Sequence, residues 1–170
     1  MGLVRSHYVG RTFISPSQKL RELQVKLKLA VVREVVKDKR VVVVDDSIVR
    51  GTTTKGKIMA LRQAGAREIH MRVSCPPLRH PCFYGVDFAT REELVAHNKT
   101  IEQIRKFLEV ESVGYISLDG LLSCAVLPAD HYCTACWSGK YKIPVDTAVN
   151  KFSLERYQLH MFDNWEQVNE

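Results

Sequence analysis

One fourteen-residue stretch, VVVVDDSIVRGTTT at positions 41–54, constrains this chain more than any other. Four consecutive β-branched valines predict a strand of a parallel sheet that is buried on both faces, because a doubly covered strand loses the alternation of apolar and polar residues. Asp45 and Asp46 follow at its carboxyl end, where open α/β sheets bind ligands. The stretch therefore predicts an α/β fold with a binding site directly after this strand.

The residues after the acid pair are suited to an anion. Gly51 and a run of threonines precede residues 55–64, for which we predict a helix. Backbone N–H groups at a helix start and neighbouring hydroxyls donate to phosphate oxygens. The two carboxylates would repel a phosphate, but they suit vicinal hydroxyl groups or Mg²⁺. Together these groups predict a site for a phosphorylated sugar.

Two other interpretations fit parts of the stretch. One is a core strand that ends in an ordinary charged turn. The other is a P-loop, because residues 51–57 fit the pattern G-x-x-x-x-G-K. The P-loop fails at Ile58, where Ser or Thr is needed for Mg²⁺, and the strand leads into Asp45 instead of the first glycine.

The stretch resembles the phosphoribosyl pyrophosphate (PRPP) signature of type I phosphoribosyltransferases. The resemblance implies that fold, with a parallel sheet that is incomplete on its N-terminal side in this chain. It implies that Asp45 and Asp46 hold the ribose hydroxyls and Mg²⁺. It further implies that the 5′-phosphate is wrapped by the loop residues Ser47, Ile48, Val49, Arg50, Gly51, Thr52 and Thr53, with Thr54 at the end of the run.

Three further segments narrow the resemblance: YVGRTFI at 8–14, PPLRHPCFYG at 76–85 and CTACWSGKY at 133–141. With the acid-pair stretch they resemble the carboxy-terminal part of the glutamine PRPP amidotransferases (amidophosphoribosyltransferases), over most of residues 2–144. The reaction that this implies is displacement of pyrophosphate from PRPP by ammonia from glutamine, the first committed step of purine synthesis. The family also implies a cytoplasmic homo-oligomer.

Residues 1–29 mix apolar, basic, Gly and Pro residues without a clear period, which predicts a long mobile loop. Such a loop could close over a substrate and exclude water, although a solvated basic linker has the same composition. In the family, the segment that matches about residues 5–29 closes over PRPP and completes an ammonia channel. The resemblance implies catalytic roles for Tyr8, Arg11 and Lys28, and Ile14 is a further matching position.

The five cysteines form two groups. Cys82, Cys133 and Cys136 match positions that ligate a [4Fe–4S] cluster in the iron–sulfur members of the family, whose fourth ligand lies upstream of the region covered here. A structural zinc half-site and a redox pair are alternatives for Cys133 and Cys136. We expect Cys75 and Cys124 to be small buried hydrophobic residues.

Charge is uneven along the chain: the first 79 residues carry 17 Lys and Arg against 6 Asp and Glu. A basic half suits a polyanionic small molecule, and without a nucleic-acid-binding motif we expect no nucleic-acid partner. Without a long apolar window or signal peptide we expect a soluble intracellular protein and no membrane partner.

The family's earlier strands and its glutaminase domain have no counterpart in the sequence, so we expect a fragment that relies on a separate or missing glutaminase for ammonia. Its missing strands would leave an unpaired sheet edge and an exposed apolar face. We predict a partial phosphoribosyltransferase domain at 1–144 and a tail at 145–170. Another type I phosphoribosyltransferase and a noncatalytic PRPP- or nucleotide-binding regulatory module remain alternative functions.

Local patterns predict further elements. Residues 68–74 and 112–117 are expected to be strands, and residues 118–122 a short helix. The spacings of Thr90 with Glu93 and of Thr100 with Gln103 predict capping boxes that start two helices.

Overall fold

A computed structural model describes residues 2–5, 29–86 and 90–145 of the chain. The strands are β1 (Leu3–Arg5), β2 (Leu29–Val31), β3 (Arg40–Asp45), β4 (Glu68–Val73) and β5 (Ser112–Tyr115). The helices are α1 (Arg33–Val36), α2 (Thr52–Gln63), α3 (Val95–Asn98), α4 (Ile101–Leu108), α5 (Leu118–Ser123) and α6 (Ala135–Ser138), with 3₁₀ turns at Arg91–Glu93 and Ala129–His131.

A parallel sheet with the order β3-β4-β5 forms the centre of the described fold. Asp45 is in register with Val73, and Val73 with Tyr115, so the three strands end at one edge. The helix α2 connects β3 to β4, and α4 precedes β5. The predicted parallel α/β architecture and its crossover after the acid pair are therefore confirmed.

One face of this sheet forms the core with α2 and α4. Val43 of β3 and Met71 of β4 are paired in register and lie in the same buried cluster as residues of both helices. Apolar side chains at helical spacing, Ile58 with Leu61 and Ile104 with Leu108, are almost fully buried there. The shared core therefore fixes α2 and α4 on one face of the sheet.

The prediction that β3 is buried on both faces is wrong for the described residues. Val42 is 60% exposed and Val44 is 72% exposed, whereas Val43 between them is 6% exposed. The reason is that the buried apolar residues of α1, α2, α3 and α4 belong to one core, the core that contains Val43. Within the described part of the chain, β3 also forms an edge of its sheet. This agrees with the expected exposed apolar face.

The helix after the acid pair begins three residues before the predicted start at Lys55. Gly51 has φ 82°, and the chain becomes helical directly after it, at Thr52. The helix ends at Gln63, close to the predicted end, and Gly65 follows with φ 95°. The threonine run therefore forms the first turn of α2 instead of preceding it.

Both predicted capping boxes are present, but only one starts an α-helix directly. The side chains of Thr100 and Gln103 bond reciprocally to each other's backbone N–H at the start of α4. Thr90 and Glu93 form the second box, yet it opens only a 3₁₀ turn. Leu94 is extended and ends that turn before α3 begins.

The two ends of the predicted loop at 1–29 are strands. Leu3 pairs with Val31 and Arg5 with Leu29 in an antiparallel arrangement, because both ends carry short apolar runs. Residues 6–28, and the part of the predicted tail from 146 onward, lie outside the described residues. Among the described helices, none has the length and apolar character to cross a membrane.

Candidate PRPP-binding site

The chain turns sharply between β3 and α2, and a buried side chain anchors the turn. Asp45 is the last residue of β3. Ile48 is 1% exposed and belongs to the core. Gly51 then adopts a left-handed conformation that residues with a Cβ rarely adopt. Ile48 in the middle of the turn therefore packs into the core, and Gly51 at its end allows the backbone to turn into α2.

The two acidic residues have different surroundings. Asp45 Oδ2 lies 2.7 Å from Lys57 Nζ, one helix turn and a half into α2, and each side chain is 19% exposed. Asp46 is exposed. Its Oδ1 accepts from the backbone N–H of Ser47 at 2.6 Å and from the Ser47 hydroxyl at 3.3 Å. The acid pair therefore presents one ion-paired carboxylate and one carboxylate open to solvent.

The start of α2 has donors that are free of a protein cap. No described side chain caps the helix at Gly51. Thr52 and Thr53 are exposed, whereas Thr54 is 4% exposed and faces the core. Uncapped N–H groups carry the positive end of the helix dipole, so an anion is the natural partner here. The arrangement has the donors needed for a phosphate group.

Residues outside the loop hold its far side. Val95 donates its backbone N–H to Val49 O at 2.9 Å. Arg50 Nη2 lies 3.0 Å from Glu93 Oε2, which also accepts from the backbone N–H of Thr90. The loop is thus connected to the segment that leads into α3.

The ends of β4 and β5 place a serine hydroxyl, a cysteine thiol and a tyrosine hydroxyl near the end of β3. The N–H and hydroxyl of Ser74 both donate to Asp45 O. Burial, with smaller effects of Asp46 and Cys136, raises the pKa of Cys75 to about 11. Burial, with a smaller effect of Cys75, raises the pKa of Tyr115 to about 12. Both groups therefore stay protonated near neutral pH.

A second group of residues lies around the C-x-x-C pair. The backbone N–H groups of Arg79 and His80 both donate to Cys136 O at 3.1 Å. Burial raises the pKa of Cys136, and the nearby Cys133 and Cys82 thiols add to the shift. Burial, followed by the positive charge of Arg91, lowers the pKa of His80. Cys82 and Cys133 therefore lie near enough to Cys136 to affect its pKa.

Several proteins of known function are similar in sequence to this chain. The amidophosphoribosyltransferase of Synechocystis is 46% identical over 153 residues, which are 90% of this chain and 31% of that protein. The chloroplastic amidophosphoribosyltransferase of Vigna aconitifolia is 54% identical over 84% of this chain and 29% of its own length. No protein-family model matches the chain.

Solved structures agree with the sequence relatives. The glutamine PRPP amidotransferase of B. subtilis, complexed with ADP and GMP, superposes with a TM-score of 0.72 at 47% identity, over 86% of this chain and 33% of that chain. This chain belongs to the amidophosphoribosyltransferase family. It spans about three tenths of the length of the curated relatives that it matches. The amidophosphoribosyltransferase comparison and the parallel sheet together confirm the predicted phosphoribosyltransferase fold.

The residues predicted to bind PRPP, from Asp45 to Thr53, lie between β3 and the first turn of α2. Asp45 ends β3, residues 46–51 form the turn, and Thr52 and Thr53 begin α2. Within that turn Ile48 is core and Arg50 pairs with Glu93, so their predicted contact with substrate stays a prediction. Tyr8, Arg11, Ile14 and Lys28 lie outside the described residues.

Cys82, Cys133 and Cys136, the predicted cluster ligands, do not form a site for a single metal ion in the described part of the chain. The described residues contain no group of three His, Cys, Asp or Glu that could hold one metal ion. Cys133 is exposed, and Cys82 Sγ accepts from the backbone N–H of Tyr84 at 3.3 Å. A Cys₄ site needs four converging thiolates. Ligation of a [4Fe–4S] cluster by Cys82, Cys133 and Cys136 therefore stays a prediction from the family resemblance.

Of the two remaining cysteines, Cys124 differs from the prediction. Cys124 is exposed, and its thiol donates to Gly120 O in α5, so its description as a buried hydrophobic residue is wrong. Cys75 is partly buried as expected. Cys75 lies two residues after the end of β4, and Val73 at that end is in register with Asp45; this position was the signal that could have placed Cys75 beside the loop. Lys57 gave no such signal, because its contact depends on how α2 packs.

Proposed function

We propose that this chain carries the PRPP-binding part of an amidophosphoribosyltransferase of purine biosynthesis. The observation that carries the proposal is the uncapped start of α2 directly beside an acid pair at the strand ends. In the complete reaction, ammonia released from glutamine attacks C1 of PRPP. The bond from C1 to pyrophosphate breaks, which gives 5-phosphoribosylamine and pyrophosphate.

The phosphate end of the ligand fits the beginning of α2. The N–H groups of the first helical turn and the exposed hydroxyls of Thr52 and Thr53 would donate to the 5′-phosphate. This contact is remote from C1, so its role is to position the sugar for attack. The negatively charged carboxylates belong to the residues at the end of β3, before the turn that leads to this helix start.

The carboxylates suit the sugar and a metal ion. Asp45 and Asp46 would accept hydrogen bonds from the two ribose hydroxyls. They also fit Mg²⁺, which takes one or two carboxylates together with substrate phosphate oxygens, and the exposure of Asp46 leaves it accessible. Bound Mg²⁺ would offset the negative charge of the diphosphate. Lys57 would hold Asp45 in a fixed orientation throughout.

Other groups of the proposed reaction lie elsewhere. We assign Arg11 and Lys28 to charge stabilisation of the leaving pyrophosphate, and Tyr8 to the closed loop, on the family resemblance alone. No residue of this chain is assigned to glutamine hydrolysis, so ammonia would come from a separate glutaminase domain. The domain division at residue 144, the cytoplasmic location and homo-oligomer formation are likewise proposals from the resemblance.

The decisive experiment is isothermal titration of this chain with PRPP, with and without Mg²⁺. Asp46→Asn is the matched variant, because the Asn oxygen can still accept from Ser47 while the charge is removed. Asp119→Asn, an exposed residue of α5, is the control. We expect Mg²⁺-dependent binding that Asp46→Asn weakens at least about tenfold and the control leaves unchanged.

Absence of binding by a cooperatively folded parent would overturn the proposal, and so would equal binding by Asp46→Asn. Ammonium supplied with PRPP tests catalysis separately. Release of pyrophosphate would support the transferase, whereas binding without release would favour the noncatalytic regulatory module.

A further inference from the structure

Phe107 of α4 lies directly beneath the glycine of the candidate phosphate loop. A Cβ built on Gly51 would be 2.8 Å from Phe107 Cε1 and 3.6 Å from Cδ1, and 3.8 Å from Ile48 Cγ2. These separations leave no room for a side chain at position 51. The ring edge therefore supports the backbone at the point where the loop becomes α2.

The ring is itself held firmly from behind. Its neighbours Ile104 and Leu108 on α4 are fully buried in the core, and Phe107 packs against that core while remaining partly exposed. A displacement of Phe107 would require α4 to move or the ring to change rotamer. Because the ring contacts both the core and Gly51, the packing of the core fixes where the loop lies.

Two lysines adjoin the same ring. Lys55 Nζ lies 5.1 Å from the ring centroid and Lys99 Nζ 5.9 Å, both within the range of a cation–π contact. Lys55 also pairs with Glu109 at 3.0 Å. Since Lys55 belongs to the first turns of α2, the ring contacts both the glycine before the helix and a side chain within it. The contact therefore restrains the helix start from two sides.

We propose that Phe107 is a positioning residue for the phosphate loop and acts through Gly51, an inference that rests on the proposed function for its ligand. The ring fixes the left-handed turn that directs the first N–H groups of α2 toward the ligand. Removal of the ring would leave a gap under Gly51, and the loop would sample other conformations. Phosphate contacts would then weaken, although the core stays folded.

The test compares two truncations on one helix. Phe107→Ala removes the ring, and Ile101→Ala removes a partly buried side chain that packs on the same core at the start of α4. Phe107→Tyr is the conservative variant. Both truncations remove core packing and should lower Tm. If Phe107 only stabilised the core, its truncation would affect the loop no more than truncation of Ile101 does.

The first readout needs no ligand. Hydrogen–deuterium exchange is followed in a peptide that covers residues 46–54. We expect Phe107→Ala to speed exchange in this peptide about tenfold or more. Phe107→Tyr should exchange near the parent rate, and so should Ile101→Ala when its loss of Tm equals that of Phe107→Ala. Equal exchange in Phe107→Ala and Ile101→Ala would overturn the proposal, whatever the ligand.

The second readout is the affinity for ribose 5-phosphate, measured by titration. We expect Phe107→Ala to raise Kd about tenfold or more and Ile101→Ala to change it little. If the parent binds ribose 5-phosphate, and Phe107→Ala exchanges faster than the parent but has the same Kd, the role of Phe107 in ligand positioning would be overturned. A parent that does not bind ribose 5-phosphate would count against the proposed function, and the exchange result would still decide whether Phe107 fixes the loop.

Discussion

Lys57 Nζ and Asp45 Oδ2 are joined at 2.7 Å across the loop, and the side chains of both residues are largely shielded from water. The pair connects the end of β3 to the second turn of α2, on opposite sides of the turn between them. Since only 19% of each side chain is exposed, loss of either partner leaves the other with a poorly solvated charge. The ion pair therefore stabilises the conformation of the loop between β3 and α2.

We predict that Lys57→Met and Asp45→Asn each destabilise the chain by about 1–3 kcal/mol, while the double variant loses less than the sum. Urea unfolding of the four proteins checks this cycle. Additive losses would show that the two groups do not interact in solution. Asp46→Asn is the control, because its carboxylate is exposed and its bond to Ser47 can persist.

Gly51→Ala is expected to destabilise the chain by about 1–3 kcal/mol, because a Cβ is strained at φ 82° and would also meet Phe107. Adding Phe107→Leu should recover part of the loss by relieving the contact, but not the backbone strain. Thermal unfolding measures both. Stability of Gly51→Ala equal to that of the parent would contradict the left-handed turn.

Alkaline pH should destabilise the folded state through Cys75. Its thiol has an ordinary pKa of 9.0 and a folded pKa of about 11. Between these values the unfolded thiol releases its proton while the folded one keeps it, so the unfolded state binds fewer protons and the free energy of unfolding falls as pH rises. Tyr115, with a folded pKa of about 12, extends the loss to higher pH.

Denaturant unfolding between pH 8 and 11 tests this linkage. The decrease in stability with pH should be shallower in Cys75→Ala than in the parent. Cys124→Ala, at an exposed cysteine, is the matched control and should follow the parent. An unchanged slope in Cys75→Ala would assign the alkaline loss to other groups.

The two faces of β3 should respond differently to truncation. Val43→Ala is expected to cost about 1–3 kcal/mol because it opens a cavity in the core, whereas Val44→Ala should stay within about 0.5 kcal/mol. Urea unfolding at low protein concentration provides the comparison. A large loss in Val44→Ala would mean that this face is covered in solution, and sedimentation would then show whether a second copy covers it.

The sequence by itself determined the local elements and the place of the site. The valine run gave β3, the glycine gave the turn into α2, and Thr100 with Gln103 gave the start of α4. These features depend on short-range chemistry: β-branched residues favour strands, glycine permits positive φ, and side chains cap nearby N–H groups. For the same reason the acid pair could be placed at the end of a strand.

Only the tertiary structure decided which faces are covered and which distant groups meet. An unbroken valine run does not reveal that Val43 is buried while Val42 and Val44 are exposed, since that depends on which helices pack on the sheet. Lys57 reaches Asp45, and Phe107 reaches Gly51, only because α2 and α4 cross the sheet in one arrangement. Such contacts join residues far apart in sequence, so their geometry is set by packing of the whole core and not by any local pattern.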